Sequence, residues 1–174
     1  CVSTRFHGLE SVLPARSSSV RSVLRRVSVA LGSNQGSRES HLQHAVARLR
    51  QVLDALRCSS FIDTEPEGVG DQPFFLNGAV VGWSAIPPEE LLSQLQEIER
   101  ERGRKRPFVG VPRTLDLDLI LVGDLIVNTE QVVVPHPRFR TRRFVLEPLA
   151  EVAPDLVDPV TGLTVRELLH RLRT

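Results

Sequence analysis

The sequence predicts an α+β fold in which one mainly antiparallel sheet carries helices on one of its faces. Two patterns support this prediction. Apolar residues alternate with small or polar ones in several short segments, which is typical of strands, and recur every three or four residues in others, which is typical of helices. These segments follow the order β-α-β-β-α-β, with a hairpin and a helix after them, and the 174 residues fit a single domain of ordinary size.

The first strand is predicted at residues 27–31, where valines and a leucine alternate with small residues, and Gly32 is expected to end it. A helix should follow, because large aliphatic residues recur at spacings of three and four as far as Leu56. Ser37 is the candidate N-cap of this helix.

Residues 59–64 predict the second strand, and residues 74–83, rich in aromatic and β-branched residues, predict the third. The second helix is expected to begin at Pro88, because a proline in the first turn loses no hydrogen bond. Gly103 is the expected end of this helix.

Residues 115–122 form the clearest strand pattern of the sequence, and the turn Gly123-Asp124 predicts a hairpin partner at residues 125–127. A short helix is expected over residues 142–149. The segment Thr164-Val165-Arg166-Glu167 has the spacing of a capping box and therefore predicts the start of a terminal helix.

Composition and charge exclude several classes of protein. No apolar run approaches the roughly 20 residues of a membrane-spanning helix, so no membrane partner is expected. Of the 22 basic and 21 acidic residues, five arginines and one glutamate lie in residues 1–26, which leaves residues 27–174 with a net charge of −3. A net acidic domain is a poor match for nucleic acid, so no nucleic-acid partner is expected either.

Residues 1–26 are rich in arginine and serine and poor in acids, which is typical of an organelle transit peptide, and an upstream extension is the alternative. We expect this segment to be disordered and the folded domain to comprise residues 27–174. The two cysteines, Cys1 and Cys58, are too few for a disulfide scaffold and suit a reducing compartment. The expected location is therefore cytoplasmic, or organellar if residues 1–26 are a transit peptide.

Asp116 and Asp118 are the strongest chemical signal. Side chains two residues apart on a strand project from the same face, about 6.5–7 Å apart, and the intervening leucines would then face the core. Two carboxylates on one face repel each other unless a cation lies beside them, and hard oxygen ligands suit Mg²⁺. A solvent-exposed strand face with outward-pointing acids is the alternative interpretation.

A basic segment precedes the two acids and contains Arg104, Lys105, Arg106 and Arg113. Guanidinium groups are suited to bidentate contacts with phosphate, so basic residues beside an acid pair indicate a polyphosphate site. A solvated basic loop is the alternative. The sequence lacks the GxxxxGK motif of a P-loop before its single lysine, which excludes that class of nucleotide site.

Other candidates are ambiguous when they are taken singly. Gln96 and Glu99 share one face of the predicted second helix, where a solvated polar face is the usual arrangement. His136 lies between two prolines and could either stabilise a loop or donate to a phosphate. Asn77 is unusual within an apolar strand, because a buried amide needs partners, and a planar heterocycle stacked by aromatic residues would provide them.

Six segments taken together resemble the 6-hydroxymethyl-7,8-dihydropterin pyrophosphokinases of folate biosynthesis. They are residues 29–34, 71–77, 88–92, 112–118, 134–136 and 142–149, in family order. The resemblance covers about residues 27–172. It implies a ferredoxin-like fold and an enzyme that transfers pyrophosphate from ATP to the hydroxymethyl group of a reduced pterin, with release of AMP.

The resemblance also implies a role for each candidate residue. Asp116 and Asp118 would hold two Mg²⁺ ions and, with Arg104 and Arg113 on the phosphates, form the catalytic set. The ATP site would further include Gln96, Glu99, His136 and Arg142. The pterin site would consist of Thr64, Phe75, Asn77 and Phe144, with the two phenylalanines stacked on the ring.

The implied partners are ATP and the pterin, and we expect a monomer, fused to or associated with other folate-pathway enzymes as an open alternative. The loop before Pro112-Arg113 is shorter than is usual in the family, so a catalytically altered relative is one alternative function. A ferredoxin-like module that binds nucleic acid is the other, although only 5% of the residues are aromatic.

Overall fold

The structure is a computed structural model that describes residues 22–67, 72–103 and 114–172. The described elements are β1 (Arg25–Ser33), α1 (Arg38–Leu49), β2 (Asp54–Cys58), β3 (Ile62–Thr64), β4 (Phe75–Ser84), α2 (Pro88–Glu101), β5 (Asp116–Val122), β6 (Val127–Asn128), β7 (Val133–Val134), a 3-10 turn (Phe139–Thr141), α3 (Arg143–Val152) and α4 (Val165–Arg171).

The main sheet has the strand order β2-β4-β1-β5, with β3 also paired to β4. All of these neighbours run antiparallel, and β1 is central because β4 and β5 pair along its two sides. This order, built from two β-α-β units, is the ferredoxin-like arrangement. The predicted α+β fold with a mainly antiparallel sheet is therefore confirmed, and β6 and β7 form the hairpin near the C-terminal end.

The prediction that helices cover only one face of the sheet is wrong. One core contains the buried residues of α1 and α2, such as Leu42 and Leu95, and a second core contains those of α3 and α4, such as Leu146 and Leu168. The sheet takes part in both, since Leu31 belongs to the first core and its neighbour Ala30 to the second. A strand with apolar side chains on both faces needs cover on both.

Two predicted boundaries in the first half of the chain are wrong. Strand β1 starts at Arg25 and continues through Gly32 to Ser33, because Gly32 pairs with β4 and with β5 and so stays within the ladder. Helix α1 ends at Leu49, and Leu56 instead lies in β2 and packs against the same core. The aliphatic residues after Leu49 keep the three-and-four spacing of a helix, although they lie in a turn and in β2. This spacing is the reason that the predicted helix was too long.

The segment 59–64 is not one strand, because β2 ends before it and only β3 lies within it. Ser59 separates them, and its hydroxyl accepts a hydrogen bond from the amide of Ala79 at 2.9 Å. The predicted partner of β5 at residues 125–127 is also wrong, since β6 pairs with β7. The outer side of β5 is instead approached by His136, whose amide donates to the carbonyl of Ile120 at 2.9 Å.

The other helix predictions are confirmed. Helix α2 begins at Pro88, α3 covers most of the predicted segment and extends to Val152, and the capping box of α4 forms with Thr164 and Glu167. Ser37 occupies the N-cap position of α1 without a capping hydrogen bond from its side chain. In the part of the chain that the structure describes, no helix has the length and apolarity needed to cross a membrane. Residues 1–21 lie outside that part.

Candidate active site

Asp116 and Asp118 lie at the start of β5 and project from the face of the sheet that α3 covers. Asp118 stands opposite Ala30 of β1, and directly opposed residues share a face. Ala30 belongs to the core beneath α3, whereas Leu117 and Leu119 belong to the core beneath α1 and α2. The expected separation of acids and leucines onto opposite faces is confirmed.

Two cationic or polar side chains approach Asp118 from the segment that precedes α3. Nη1 of Arg142 lies 3.5 Å from Oδ2 of Asp118, and Nε2 of His136 lies 3.8 Å from the same oxygen. Phe139, between them in the sequence, is fully buried and fixes the segment against the second core. Asp118, His136 and Arg142 therefore form one cluster on this face of the sheet, near the start of β5.

The tautomer of His136 follows from its hydrogen bonds. The amide of Arg138 donates to Nδ1 at 3.1 Å, so the proton of the neutral ring is on Nε2, which faces Asp118. Burial, with a further contribution from Arg142, lowers the pKa of His136 to about 4. At neutral pH this side chain is thus an uncharged donor directed toward the acid pair.

The acid pair fits Mg²⁺ that is bound together with phosphate. Among the described residues, no group of three or more His, Cys, Asp or Glu side chains could enclose a metal ion. Mg²⁺ does not need such a group, since it is usually held by one or two carboxylates and completes its octahedron with water and substrate phosphates. Two partly exposed carboxylates on one strand supply hard oxygen ligands of this kind.

The side chains predicted for the pterin share this face of the sheet. Asn77 stands opposite Gly32 of β1, and Gly32 stands opposite Asp116 of β5, so the three form one row across the sheet. With neighbouring strands about 4.8 Å apart, Asn77 and Asp116 are separated by roughly 10 Å. Phe75 lies two residues before Asn77 on β4, so its side chain is on the same face of the sheet. Thr64 of β3 is paired directly opposite Phe75 and therefore shares that face.

Asn77 is almost completely buried, and its Nδ2 donates to Oγ1 of Thr64 at 2.6 Å. Phe144 lies in the first turn of α3, half-buried at the edge of the second core. The guanidinium carbon of Arg142 lies 5.6 Å from the centre of the Phe144 ring. Arg142 therefore connects the aromatic part of the face with the acid pair.

Glu99 lies on the opposite side of β5 from the two aspartates, because α2 packs on the other face. It is 2% exposed, and its Oε1 accepts a hydrogen bond from the amide of Leu117 at 2.8 Å. The backbone amide of His136 donates to the carbonyl of Ile120. Glu99 and His136 thus both hydrogen-bond the backbone of β5 along its outer edge, the edge that is not paired with β1. Gln96 is half-buried one turn earlier on α2.

Arg104 and Arg113 lie outside the described residues, and their roles stay predictions. Sequence reasoning missed Gly32, which was interpreted as the end of a strand although it lies between the acid pair and Asn77. A glycine within a strand often lies where a ligand or another chain segment approaches closely, but the alternating pattern ends before Gly32, so the sequence did not show that the strand includes it.

Comparison with known proteins identifies the family. The family model described as 7,8-dihydro-6-hydroxymethylpterin-pyrophosphokinase (HPPK) matches residues 28–154. The 2-amino-4-hydroxy-6-hydroxymethyldihydropteridine pyrophosphokinase of Bacillus subtilis is 45% identical over 136 residues, which are 77% of this chain and 81% of that protein. The folic acid synthesis protein fol1 of Pneumocystis carinii is 37% identical over 84% of this chain, which spans only 20% of fol1.

A solved structure supports the fold. The structure of a single-substitution variant of Plasmodium falciparum HPPK-DHPS with SDX-DHP superposes with a TM-score of 0.70 at 14% sequence identity, over 88% of this chain and 46% of that one. The chain thus spans less than half the length of this structural relative and most of the length of the bacterial one. From the matched residues and the identity to relatives of similar length, the chain belongs to the 7,8-dihydro-6-hydroxymethylpterin-pyrophosphokinase family of enzymes.

Proposed function

We propose that this protein transfers pyrophosphate from ATP to the hydroxymethyl group of 6-hydroxymethyl-7,8-dihydropterin, in a reaction that depends on Mg²⁺ and releases AMP. The observation that carries the proposal is the row Asn77, Gly32, Asp116 on one face of the sheet. The side-chain amide of Asn77 can bind a heterocycle, and the acid pair that includes Asp116 can bind a metal with its phosphate. The row separates these two groups by two strand spacings, roughly 10 Å.

The acceptor is held by groups that surround this row at its β4 end. The amide of Asn77 and the hydroxyl of Thr64 can hydrogen-bond the edge of a flat ring, while Phe75 and Phe144 offer aromatic faces. Aromatic rings stack favourably on planar heterocycles, and buried polar groups reject rings that leave them unpaired. These residues therefore provide both orientation and selectivity.

The donor is held along β5. Asp116 and Asp118 would hold Mg²⁺, which when bound supplies positive charge to the triphosphate. Arg142 can neutralise phosphate charge, and the Nε2–H of His136 can donate to a phosphate oxygen. Glu99 fixes the β5 backbone at Leu117, between the two aspartates. Arg104 and Arg113 are proposed as further phosphate ligands on the strength of the family resemblance.

In the reaction the pterin hydroxyl oxygen attacks the β-phosphorus of ATP. A new oxygen–phosphorus bond forms, the bond from the β-phosphorus to the oxygen bridging it to the α-phosphorus breaks, and AMP leaves with that oxygen while the hydroxyl proton passes to solvent. Alignment is the main contribution expected of the protein, and such alignment can lower a barrier by roughly 7–11 kcal/mol.

The nucleotide product tests this proposal. With ATP, Mg²⁺ and 6-hydroxymethyl-7,8-dihydropterin, we expect AMP and pterin diphosphate in equal amounts, resolved by chromatography. Formation of ADP would mean transfer of a single phosphoryl group and would contradict the proposal. Reactions without pterin control for ATP hydrolysis, and absence of turnover together with salt-sensitive RNA binding would favour the nucleic-acid-binding alternative.

A second prediction concerns the aromatic side of the site. We expect Phe144→Ala to weaken pterin binding about tenfold or more and to leave ATP binding within twofold, because stacking on an aromatic side chain contributes about 1–3 kcal/mol. Calorimetric titration with each ligand measures both effects.

The matched control for Phe144→Ala is Phe74→Ala. Phe74 is 52% exposed, directly before β4, and is not assigned to the site. Its removal should change neither affinity. Equal losses of pterin and ATP affinity in Phe144→Ala would show that the ring supports the fold of α3 and does not stack on the pterin.

A further inference from the structure

The backbone conformation and the strand pairing at Gly32 do not account for a glycine there. This residue lies in strand β1, which is paired on both sides with neighbouring strands, and a glycine within a strand lowers stability because it has no side chain to pack. Its φ is outside the left-handed region, so the backbone conformation there does not require glycine.

Two other glycines of the same sheet show the contrast. A Cβ on Gly78 would lie 2.7 Å from the Phe61 ring, and one on Gly82 would lie 2.8 Å from Cβ of Leu53. The neighbouring protein atoms exclude any side chain at those two positions. Among the described residues, a Cβ on Gly32 would meet two side chains of the proposed pterin site, Oδ1 of Asn77 at a tight 3.2 Å and a ring carbon of Phe75 at 3.9 Å.

Gly32 lies on the face of the sheet that carries the proposed site. Its neighbours in the row are Asn77 on one side and Asp116 on the other. A substrate whose ring is bound at Asn77 and whose reacting arm reaches the acid pair must cross β1 at this point. The missing Cβ leaves room for that arm.

We propose that Gly32 is a specificity-determining residue that accommodates the hydroxymethyl arm of the pterin, between the ring site at Asn77 and the phosphate site at Asp116. This inference rests on the proposed function and adds to it a division of the acceptor site. The ring is recognised on β3, β4 and α3, and the arm is accommodated over β1.

Binding of two ligands to Gly32→Ala tests the inference. The ligands are 6-hydroxymethyl-7,8-dihydropterin and 7,8-dihydropterin without the arm, each titrated calorimetrically. Because one extra methyl group in a tight pocket changes discrimination by 10-fold or more, we expect about a tenfold loss for the first ligand and less than twofold for the second. Unchanged affinity for both, or an equal loss for both, would overturn the inference, the latter because it would place the effect at Asn77.

Two controls keep the outcome decisive. Ser28→Ala, on the same strand and face but farther from the site, should leave both affinities unchanged, and thermal melts report on folding. In the unsubstituted protein, NMR should show a nuclear Overhauser effect between the Gly32 Hα protons and the methylene of the arm, and its absence in the saturated complex would also reject the inference. If the unsubstituted protein forms no AMP from ATP and pterin, the proposed function itself fails.

Discussion

Asp118→Ala is expected to reduce turnover by at least about 10³-fold while leaving the fold intact. Removal of one group that stabilises transition-state charge typically lowers the rate about 10²- to 10³-fold, and removal of Asp118 would also take away a proposed metal ligand. The fold should survive because this carboxylate is partly exposed and its contacts with Arg142 at 3.5 Å and His136 at 3.8 Å are long. Steady-state AMP formation at saturating ATP measures the loss.

The matched control is Asp124→Ala, which removes an exposed aspartate from the turn just after β5 and should keep full activity. Asp118→Asn retains the shape of the side chain and loses its charge, so it should be nearly as inactive as the alanine variant. A rate within tenfold of the parent protein in Asp118→Asn would rule out the assignment of this residue to the metal.

Asp158→Ala is expected to have the largest effect on stability, up to about 3 kcal/mol in the free energy of unfolding, because Arg140, whose side chain is 25% exposed, would lose its buried carboxylate partner. Asp158 is fully buried and accepts from Nε of Arg140 at 2.6 Å and from its Nη2 at 2.8 Å. Thr161 donates to the same carboxylate at 2.6 Å. Urea unfolding followed by circular dichroism measures the change.

The pair connects the loop before α4 with the 3-10 turn that lies between His136 and Arg142. Its loss should therefore also loosen the cluster around Asp118. The control is Arg143→Ala, which removes the partner of Glu147 in an exposed pair on α3, at 2.7 Å, and should cost no more than about 1 kcal/mol. Similar losses of unfolding free energy in Asp158→Ala and Arg143→Ala would show that the Arg140–Asp158 pair contributes no more to stability than an exposed pair.

The contribution of Asp158 should depend on pH. Burial raises the pKa of this carboxyl, but hydrogen bonds from Arg140, Thr161 and the amide of Val160 outweigh it and hold the pKa below 3.8. A group with a depressed pKa in the folded state stabilises fully above its unfolded pKa and loses that contribution as pH falls through the folded value. The difference in unfolding free energy between the parent protein and Asp158→Asn should accordingly be constant near pH 7 and shrink below about pH 4.

The sequence by itself determined the fold class and the acid pair. Alternation along β5 places Asp116 and Asp118 on one face whatever the strand packs against, because side chains of a strand alternate by geometry. The capping box of Thr164 and Glu167 is equally local, since its hydrogen bonds join residues three apart. Such features need no knowledge of distant parts of the chain.

Only the tertiary structure decided which residues meet. Asn77, Gly32 and Asp116 are far apart in sequence, and the antiparallel register of three strands puts them in one row. The same holds for Arg140 and Asp158, and for the distribution of helices over both faces of the sheet. The register of the strands and the burial of their side chains depend on how the whole core packs. The pattern within one segment therefore does not show which residues lie beside it in the sheet.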